Sequence, residues 1–409
     1  MKSIVLLGAA CAAAAALAKL PVAWDREELF RMPTVYSAAD YVPGGESNGV
    51  KAVFLEGLPF RGKATRDFAY WGVPAVKAGE KAPAMVLVHG GGGSAFHRWV
   101  KFWNSRGYAA ISMDLNGCVS GNTIGDEMRR HISHPWQGPG PGCGGFAFLK
   151  EKPVDQWMYH AVGAVVRAHT FLRAQPGVDS ARIGLTGVSW GGVVNCVVAA
   201  VDDRLKFAIP VYGCGFLYED YASWYQRGTN KKPSLQRRED WCPFWDPMQY
   251  LADAKIPVHW IDGSNDQNFS YPSLMRSFAL VPTPKSLSLR VRMGHAHGAV
   301  SEKAIDVLTI ADAYLKNGPK PPVVGTPTVV EGKMTAAFTA DAALPVVAAT
   351  LDYTCDDKAW WWSNTWHSVK AELKPGQVSA SLPQGARYYH LTVETSNKSK
   401  FSTVVLESR

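Results

Sequence analysis

The stretch Ile183-Gly184-Leu185-Thr186-Gly187-Val188-Ser189-Trp190-Gly191-Gly192 decides the fold. An apolar strand-like run, Ile183 to Gly187, leads into it, and an apolar helical run, Val193 to Val201, leads out. A serine on a sharp strand-to-helix turn has a strained backbone, so the positions two residues to either side must be nearly free of side chain. Gly187 and Gly191 meet that requirement. The helix that follows offers unpaired N–H groups and the positive end of its dipole, which favour a developing oxyanion. Gly-x-Ser-x-Gly by itself is a weak signal, because both residues are common. The strand before it and the helix after it make Ser189 the candidate nucleophile.

Upstream, Ala84-Met85-Val86-Leu87-Val88 is a continuous apolar run that stops abruptly at His89-Gly90-Gly91-Gly92-Gly93. A helical stretch from Phe96 to Ser105 then leads to a second short strand, Ala109 to Asp114, and a helix from Asp155 to Arg173 precedes Ile183. Further strands are expected at Phe207–Tyr212, Val258–Asp262 and Leu287–Met293. The alternating Val, Phe and Tyr of Val50 to Val76 predict an antiparallel pair entering the same sheet. Apolar strands alternating with helices specify an α/β fold, a mostly parallel sheet with helices on both faces. Two long Gly/Pro/Trp-rich segments, 118–152 and 213–247, interrupt the alternation after strand ends, where such sheets bind ligands. Beyond the linker Lys316 to Pro322 only short strands follow: Thr328–Thr339, Val346–Tyr353, Val369–Leu373, Tyr388–Thr395 and Ser402–Leu406. The expected organisation is a signal peptide at 1–18, a catalytic domain at 19–318 and a C-terminal β-sandwich at 323–409.

A serine is unreactive near neutral pH unless a base takes its proton, and the base needs an orienting carboxylate. Asp266 follows the strand Val258–Asp262 in the turn Gly263-Ser264-Asn265-Asp266, and His295 follows Met293 in Gly294-His295-Ala296-His297-Gly298. Ser, then Asp, then His is the chain order of this fold. Asp262 competes with Asp266 but lies inside the strand. His297 competes with His295, which the immediate Gly-His step favours; the other histidine then lines the cleft. The histidine pair lacks nearby carboxylate or cysteine ligands, so no metal is expected, and nothing calls for a cofactor. An oxyanion hole needs backbone N–H groups aimed where charge develops. The N–H groups of Gly91 and Trp190 are the chosen pair, with Gly92 as the alternative. The Gly-rich turn has no Lys-Ser/Thr at the spacing of a nucleotide loop.

With these residues in view, the chain resembles the dienelactone hydrolase, acetyl xylan esterase and prolyl oligopeptidase branch of the α/β-hydrolase superfamily over about Val50 to Leu315. The motifs are Val88-His89-Gly90-Gly91, Gly187-Val188-Ser189-Trp190-Gly191-Gly192, Asp266 and Gly294-His295. The resemblance implies attack by Ser189, His295 as base, Asp266 as its orienter and an acyl-enzyme intermediate. Relatives of this kind are often exported and act as carbohydrate acetyl esterases or as peptidases. The His-Ala-His pair and the two long loops depart from the pattern, and the C-terminal strands match no motif.

The net charge is +8, yet no basic run or basic–aromatic interleaving occurs, which argues against nucleic acid as a partner. Lys2, the apolar run Ile4 to Leu17 and Ala16-Leu17-Ala18 form the pattern of a secretory signal, and the run is too short to span a membrane. In an exported protein Cys118, Cys143, Cys214 and Cys242 are candidates for one or two disulfides, whereas Cys196 falls in an apolar helix as a packed thiol. Trp136, Trp224, Trp241 and Trp245 are candidates to line the cleft. Trp360, Trp361, Trp362 and Trp366 are read first as packing the sandwich onto the catalytic domain, and second as a sugar-stacking surface. The leading function is an exported carboxylic-ester hydrolase acting on acylated, especially acetylated, carbohydrates. A peptidase or amidase on the same residues is the alternative, although too few residues precede Ala84 for a typical propeller. A non-catalytic glycan-binding protein is the third reading.

Overall fold

The computed structural model describes residues 20–42, 46–47, 49–120, 131–140, 146–217 and 235–408. The expected signal at 1–18, Cys143 and Trp224 lie outside the described residues. The chain opens with Arg26–Phe30 (α1) and then builds an antiparallel edge from Val35–Ser37 (β1), Glu46–Ser47 (β2), Val50–Glu56 (β3) and Arg66–Gly72 (β4). Ala82–Val88 (β5), His97–Ser105 (α2) and Ala109–Met113 (β6) follow, then a small ribbon of Cys118–Ser120 (β7) and His131–Ser133 (β8). Trp157–Arg173 (α3), Val178–Val188 (β9), Trp190–Val201 (α4), Ala208–Val211 (β10) and Leu235–Trp245 (α5) come next. Val258–Gly263 (β11), Tyr271–Leu280 (α6), Lys285–Arg290 (β12), Ala299–Glu302 (α7) and Ile305–Leu315 (α8) complete this part.

The sheet order is β1-β3-β4-β6-β5-β9-β10-β11-β12, with β2 on β3, and every pairing from β6 to β12 is parallel. Every residue of β5 and β6 is buried, as expected for strands covered on both faces. Helices α3 and α4 pack together on one face. On the other, α2 is tied to α7 and α8: the Trp99 indole donates to the Glu302 carbonyl, and Arg106 and Tyr108 both reach Asp312. The strand expected at Leu287–Met293 ends at Arg290, because Arg292 takes a left-handed φ of 60° and turns the chain.

After the linker come Val323–Val324 (β13), Thr328–Val330 (β14), Lys333–Thr339 (β15), Val346–Thr354 (β16), His367–Lys370 (β17) and Glu372–Lys374 (β18). Gln377–Ser381 (β19), Tyr388–Thr395 (β20), Lys400–Ser402 (β21) and Leu406–Glu407 (β22) follow. They form two antiparallel five-stranded sheets, a C-terminal β-sandwich. Thr328–Thr339, expected as one strand, is a hairpin whose turn is Glu331-Gly332, both at positive φ. Val369–Leu373 divides at Ala371, which is buried and donates its N–H to Ala349, so its halves join opposite sheets. β21 lies against β12, where Ser402 Oγ accepts the Leu289 N–H at 3.0 Å, and Asp306 Oδ1 accepts the Lys400 N–H at 2.7 Å. The open edge of the main sheet is thereby covered rather than left as a template for foreign strands.

Candidate active site

The C-terminal ends of the parallel strands deliver the site. β9 ends at Val188 and α4 starts at Trp190, leaving Ser189 between them with φ 61° and ψ −121°. Few non-glycine residues tolerate this region, and it costs on the order of 1–3 kcal/mol, so neighbouring contacts must hold it. The Ser189 N–H donates to the Val211 carbonyl, and its carbonyl accepts the Val193 N–H. A Cβ on Gly191 would fall 2.2 Å from the Val88 oxygen, and one on Gly187 2.7 Å from the Gly191 oxygen, which is why both positions are glycine. Asn195, one turn into α4, closes the elbow. Its side chain accepts the Gly187 N–H at 2.7 Å and donates to the Gly191 carbonyl at 3.0 Å.

The three residues singled out in the sequence meet. Ser189 Oγ lies 2.9 Å from His295 Nε2, and His295 Nδ1 lies 2.8 Å from Asp266 Oδ2. Asp266 is wholly buried, and its other oxygen accepts the N–H groups of Asn268 and Phe269 at 2.6 and 3.1 Å. The His295 ring is flanked by Tyr212 and Phe269, and the His295 backbone N–H donates to Gln267 Oε1 at 3.0 Å. His297 does not replace it. That ring is exposed, stands edge-on to His295 at 5.6 Å and comes close to Gly90. Partial desolvation and repulsion by His295 hold its pKa below the ordinary histidine value. Asp262, the competitor of Asp266, stays within the buried end of β11.

The turn after β5 approaches the nucleophile closely. A Cβ on Gly90 would meet the Ser189 Cβ at 3.2 Å, and one on Gly91 would meet the Trp190 ring at 2.6 Å, whereas Gly92 has open space around it. His89 sets the turn. Its Nε2 accepts the Leu115 N–H at 2.9 Å, so its Nδ1 carries the proton and donates to the Gly90 carbonyl at 2.6 Å. The Gly93 N–H donates to the same carbonyl, and Asn116 Nδ2 donates to the Gly93 carbonyl at 2.7 Å. Because a trans peptide points its N–H opposite its C=O, the Gly91 N–H faces away from these bonds.

Of the expected cleft tryptophans, Trp241 lies beside the site, buried with its ring 6.0 Å from Trp190 in a cluster with Phe146. Trp245 does not line it. The turn of α5 buries that indole entirely, donating to Gln156 Oε1 at 2.6 Å and packing on Trp24. Trp136 likewise contacts no triad residue, because it stacks on the Arg66 guanidinium at 3.7 Å beside Tyr36. Cys118, Cys214 and Cys242 form no disulfide among the described residues, and Cys196 is buried in α4. Among the described residues, no group of three His, Cys, Asp or Glu side chains is arranged to hold a metal ion. No described helix is long and apolar enough to cross a membrane.

Sequence reasoning missed one support altogether. The Trp361 indole, from the sandwich, donates to the Asp266 carbonyl at 2.6 Å, and Asn265 Nδ2 donates to the Trp362 and Asn364 carbonyls at 2.8 and 2.9 Å. Trp361 and Trp366 are buried packing residues, the latter against Tyr271. Trp361→Phe keeps the ring but leaves the Asp266 carbonyl without this donor, a loss of about 1–3 kcal/mol when a buried partner is stranded. We expect kcat to fall about tenfold with an unchanged circular dichroism spectrum, while Trp366→Phe, whose indole N–H makes no hydrogen bond, leaves kcat alone. Steady-state rates on an aryl ester check both.

Comparison with known proteins finds similarity over the same part of the chain. A family model for acetyl xylan esterase matches residues 48–230, and one for the prolyl oligopeptidase family matches residues 147–317. The solved acetyl xylan esterase from Paenibacillus sp. R4 is 20% identical, covering 71% of this chain and 92% of its own, with a TM-score of 0.53. Acetyl xylan esterase 1 from Thermoanaerobacterium sp. JW/SL YS485 is 16% identical, covering 73% and 96%, with a TM-score of 0.51.

Proposed function

We propose that this chain, a serine hydrolase of the α/β-hydrolase superfamily in the branch of acetyl xylan esterases, dienelactone hydrolases and prolyl oligopeptidases, is an exported esterase that removes acetyl or similar small acyl groups from carbohydrates. The observation that carries the reading is the continuous hydrogen-bonded series from Ser189 through His295 to Asp266. His295 takes the Ser189 proton as Oγ attacks the ester carbonyl. The backbone N–H groups of Gly91 and Trp190 receive the oxyanion. Collapse of that intermediate expels the alcohol, which leaves with the proton from His295. Water then attacks the acyl-Ser189 by the same route, with His295 again as base, and releases the carboxylic acid. Asp266 keeps the His295 Nδ1 proton in place and stabilises the imidazolium. The acetyl xylan esterase match, which includes the Gly-rich turn and Ser189, supports the acyl class. The export part rests on the signal-like residues 1–18 alone.

A peptidase reading has its own support, since the prolyl oligopeptidase match spans Ser189, Asp266 and His295 together. A substrate panel separates the two. We expect p-nitrophenyl acetate and acetylated xylo-oligosaccharides to be turned over, with rates falling as the acyl chain lengthens, and aminoacyl p-nitroanilides to remain intact. Cleavage of anilides without ester turnover would install the peptidase reading instead.

A further inference from the structure

Two carboxyl groups are buried at the end of β11 where one is enough for the relay. Asp262 is 1% exposed and Asp266 is 0% exposed, and the two side chains lie within hydrogen-bonding reach of each other. Asp266 uses Oδ2 for His295 and Oδ1 for the Asn268 and Phe269 N–H groups. Asp262 accepts only the Gly263 N–H, at 2.7 Å through Oδ1, and its buried Oδ2 has no donor. An ionised Oδ2 beside the Asp266 carboxylate would be an unsatisfied buried acceptor facing a like charge. A proton on that oxygen resolves both problems, because it turns an orphan acceptor into a donor that the neighbouring carboxylate can accept.

Among the described residues, no lysine or arginine pairs with either acid. From β12, Arg290 is committed to Asp306. From the turn just after β10, the Tyr212 hydroxyl donates to the Gly294 carbonyl at 3.4 Å, and burial with the two acids holds it well above the ordinary tyrosine value, hence neutral. From the loop after β12, His295 bonds to Asp266 alone of the two acids. Burial first, and then Asp266, push the Asp262 carboxyl well above the usual carboxylate range.

We infer that Asp262 holds a proton in the working enzyme and donates it as a hydrogen bond to Asp266, which makes it a positioning residue for the acid that orients His295. The inference rests on the triad proposed above, but not on the substrate. It gives the relay an alkaline limit: when Asp262 ionises, Asp266 loses a donor and gains a repelling neighbour.

Two measurements test it, and neither needs a substrate. The first is stability against pH in the Ser189→Ala background, with and without Asp262→Asn. The folded protein keeps the Asp262 proton, whereas the unfolded chain releases it above about pH 4. Stability due to this group is therefore full at low pH and declines as pH rises towards the elevated folded pKa. Asparagine does not titrate. The urea midpoint of Asp262→Asn should thus gain on its parent as pH rises above about pH 4 towards that elevated value. A gap that stays constant with pH overturns the proton assignment.

The second is the rate at which a fluorophosphonate probe labels Ser189 across the same range and above it. Asp262→Asn, whose amide is a permanent donor, should label within about tenfold of wild type at pH 7 and should lack the alkaline decline. Asp262→Leu, with similar bulk and no donor, should label on the order of a hundredfold more slowly at every pH. Identical pH profiles for wild type and Asp262→Asn overturn the positioning role. Absent ester turnover beside normal probe labelling would overturn the acetyl-ester reading and leave this one standing.

Discussion

Ser189→Ala lowers the hydrolysis of p-nitrophenyl acetate by about a million-fold, the scale found when a triad serine is removed. The size follows from what the change deletes. Ser189 Oγ is the oxygen bonded to His295 Nε2, and without it the base has nothing to deprotonate except water. The oxyanion donors and the binding surface survive, so a residual acceleration of roughly a thousandfold over solution remains. The fold should survive as well, since alanine keeps the Cβ and the 61° φ is held by backbone bonds to Val211 and Val193 that the side chain does not make. Initial rates on the two purified proteins measure the loss, and intact mass of the wild type after brief mixing detects the acyl group. Equal rates in both proteins would remove Ser189 from the chemistry.

His295→Ala should cost about as much, because a base and its nucleophile act as one unit. His297→Ala should cost less than about tenfold. The contrast rests on position. His295 is 7% exposed and spans Ser189 and Asp266, whereas His297 is exposed, meets His295 edge-on and has a pKa lowered by desolvation and by that neighbour. Two residues apart, they differ in whether a carboxylate stands behind the ring. Steady-state rates on p-nitrophenyl acetate measure both, and comparable losses from the two changes would contradict the assignment.

The fold was legible because its strands carry one unmistakable pattern. β5, β6 and the end of β9 are apolar on both faces, and only a sheet covered twice asks for that. Ser189, Asp266 and His295 were legible because each follows a strand within a few residues of a glycine, where the local sequence constrains the backbone. What escaped were the contacts that support the site. The His89 bond to Leu115, the Asn195 bridge within the elbow and the Trp361 bond to Asp266 depend on tertiary placement, and polar residues in a buried helix or turn do not announce their partners. The tryptophans misled for a related reason. Composition put Trp136 and Trp245 at the cleft, yet Arg66 and Gln156 had the stronger claim on those rings. In the sandwich, the turn at Glu331-Gly332 and the break at Ala371 changed which strands exist without altering the alternation around them.

The bond from Trp361 to the Asp266 loop also sets an order in time. During synthesis the elbow, the acid loop and the base all leave the ribosome before residues 355–366, and chains fold broadly from the first domain onward. The nascent hydrolase therefore carries its complete set of reactive groups for the interval needed to make and fold the last strands, with the acid loop still unsupported. Full competence arrives late, and the sandwich works as a clock as well as a cover: a chain stalled or clipped after α8 would hold its reactive groups without the Trp361 bond to the acid loop.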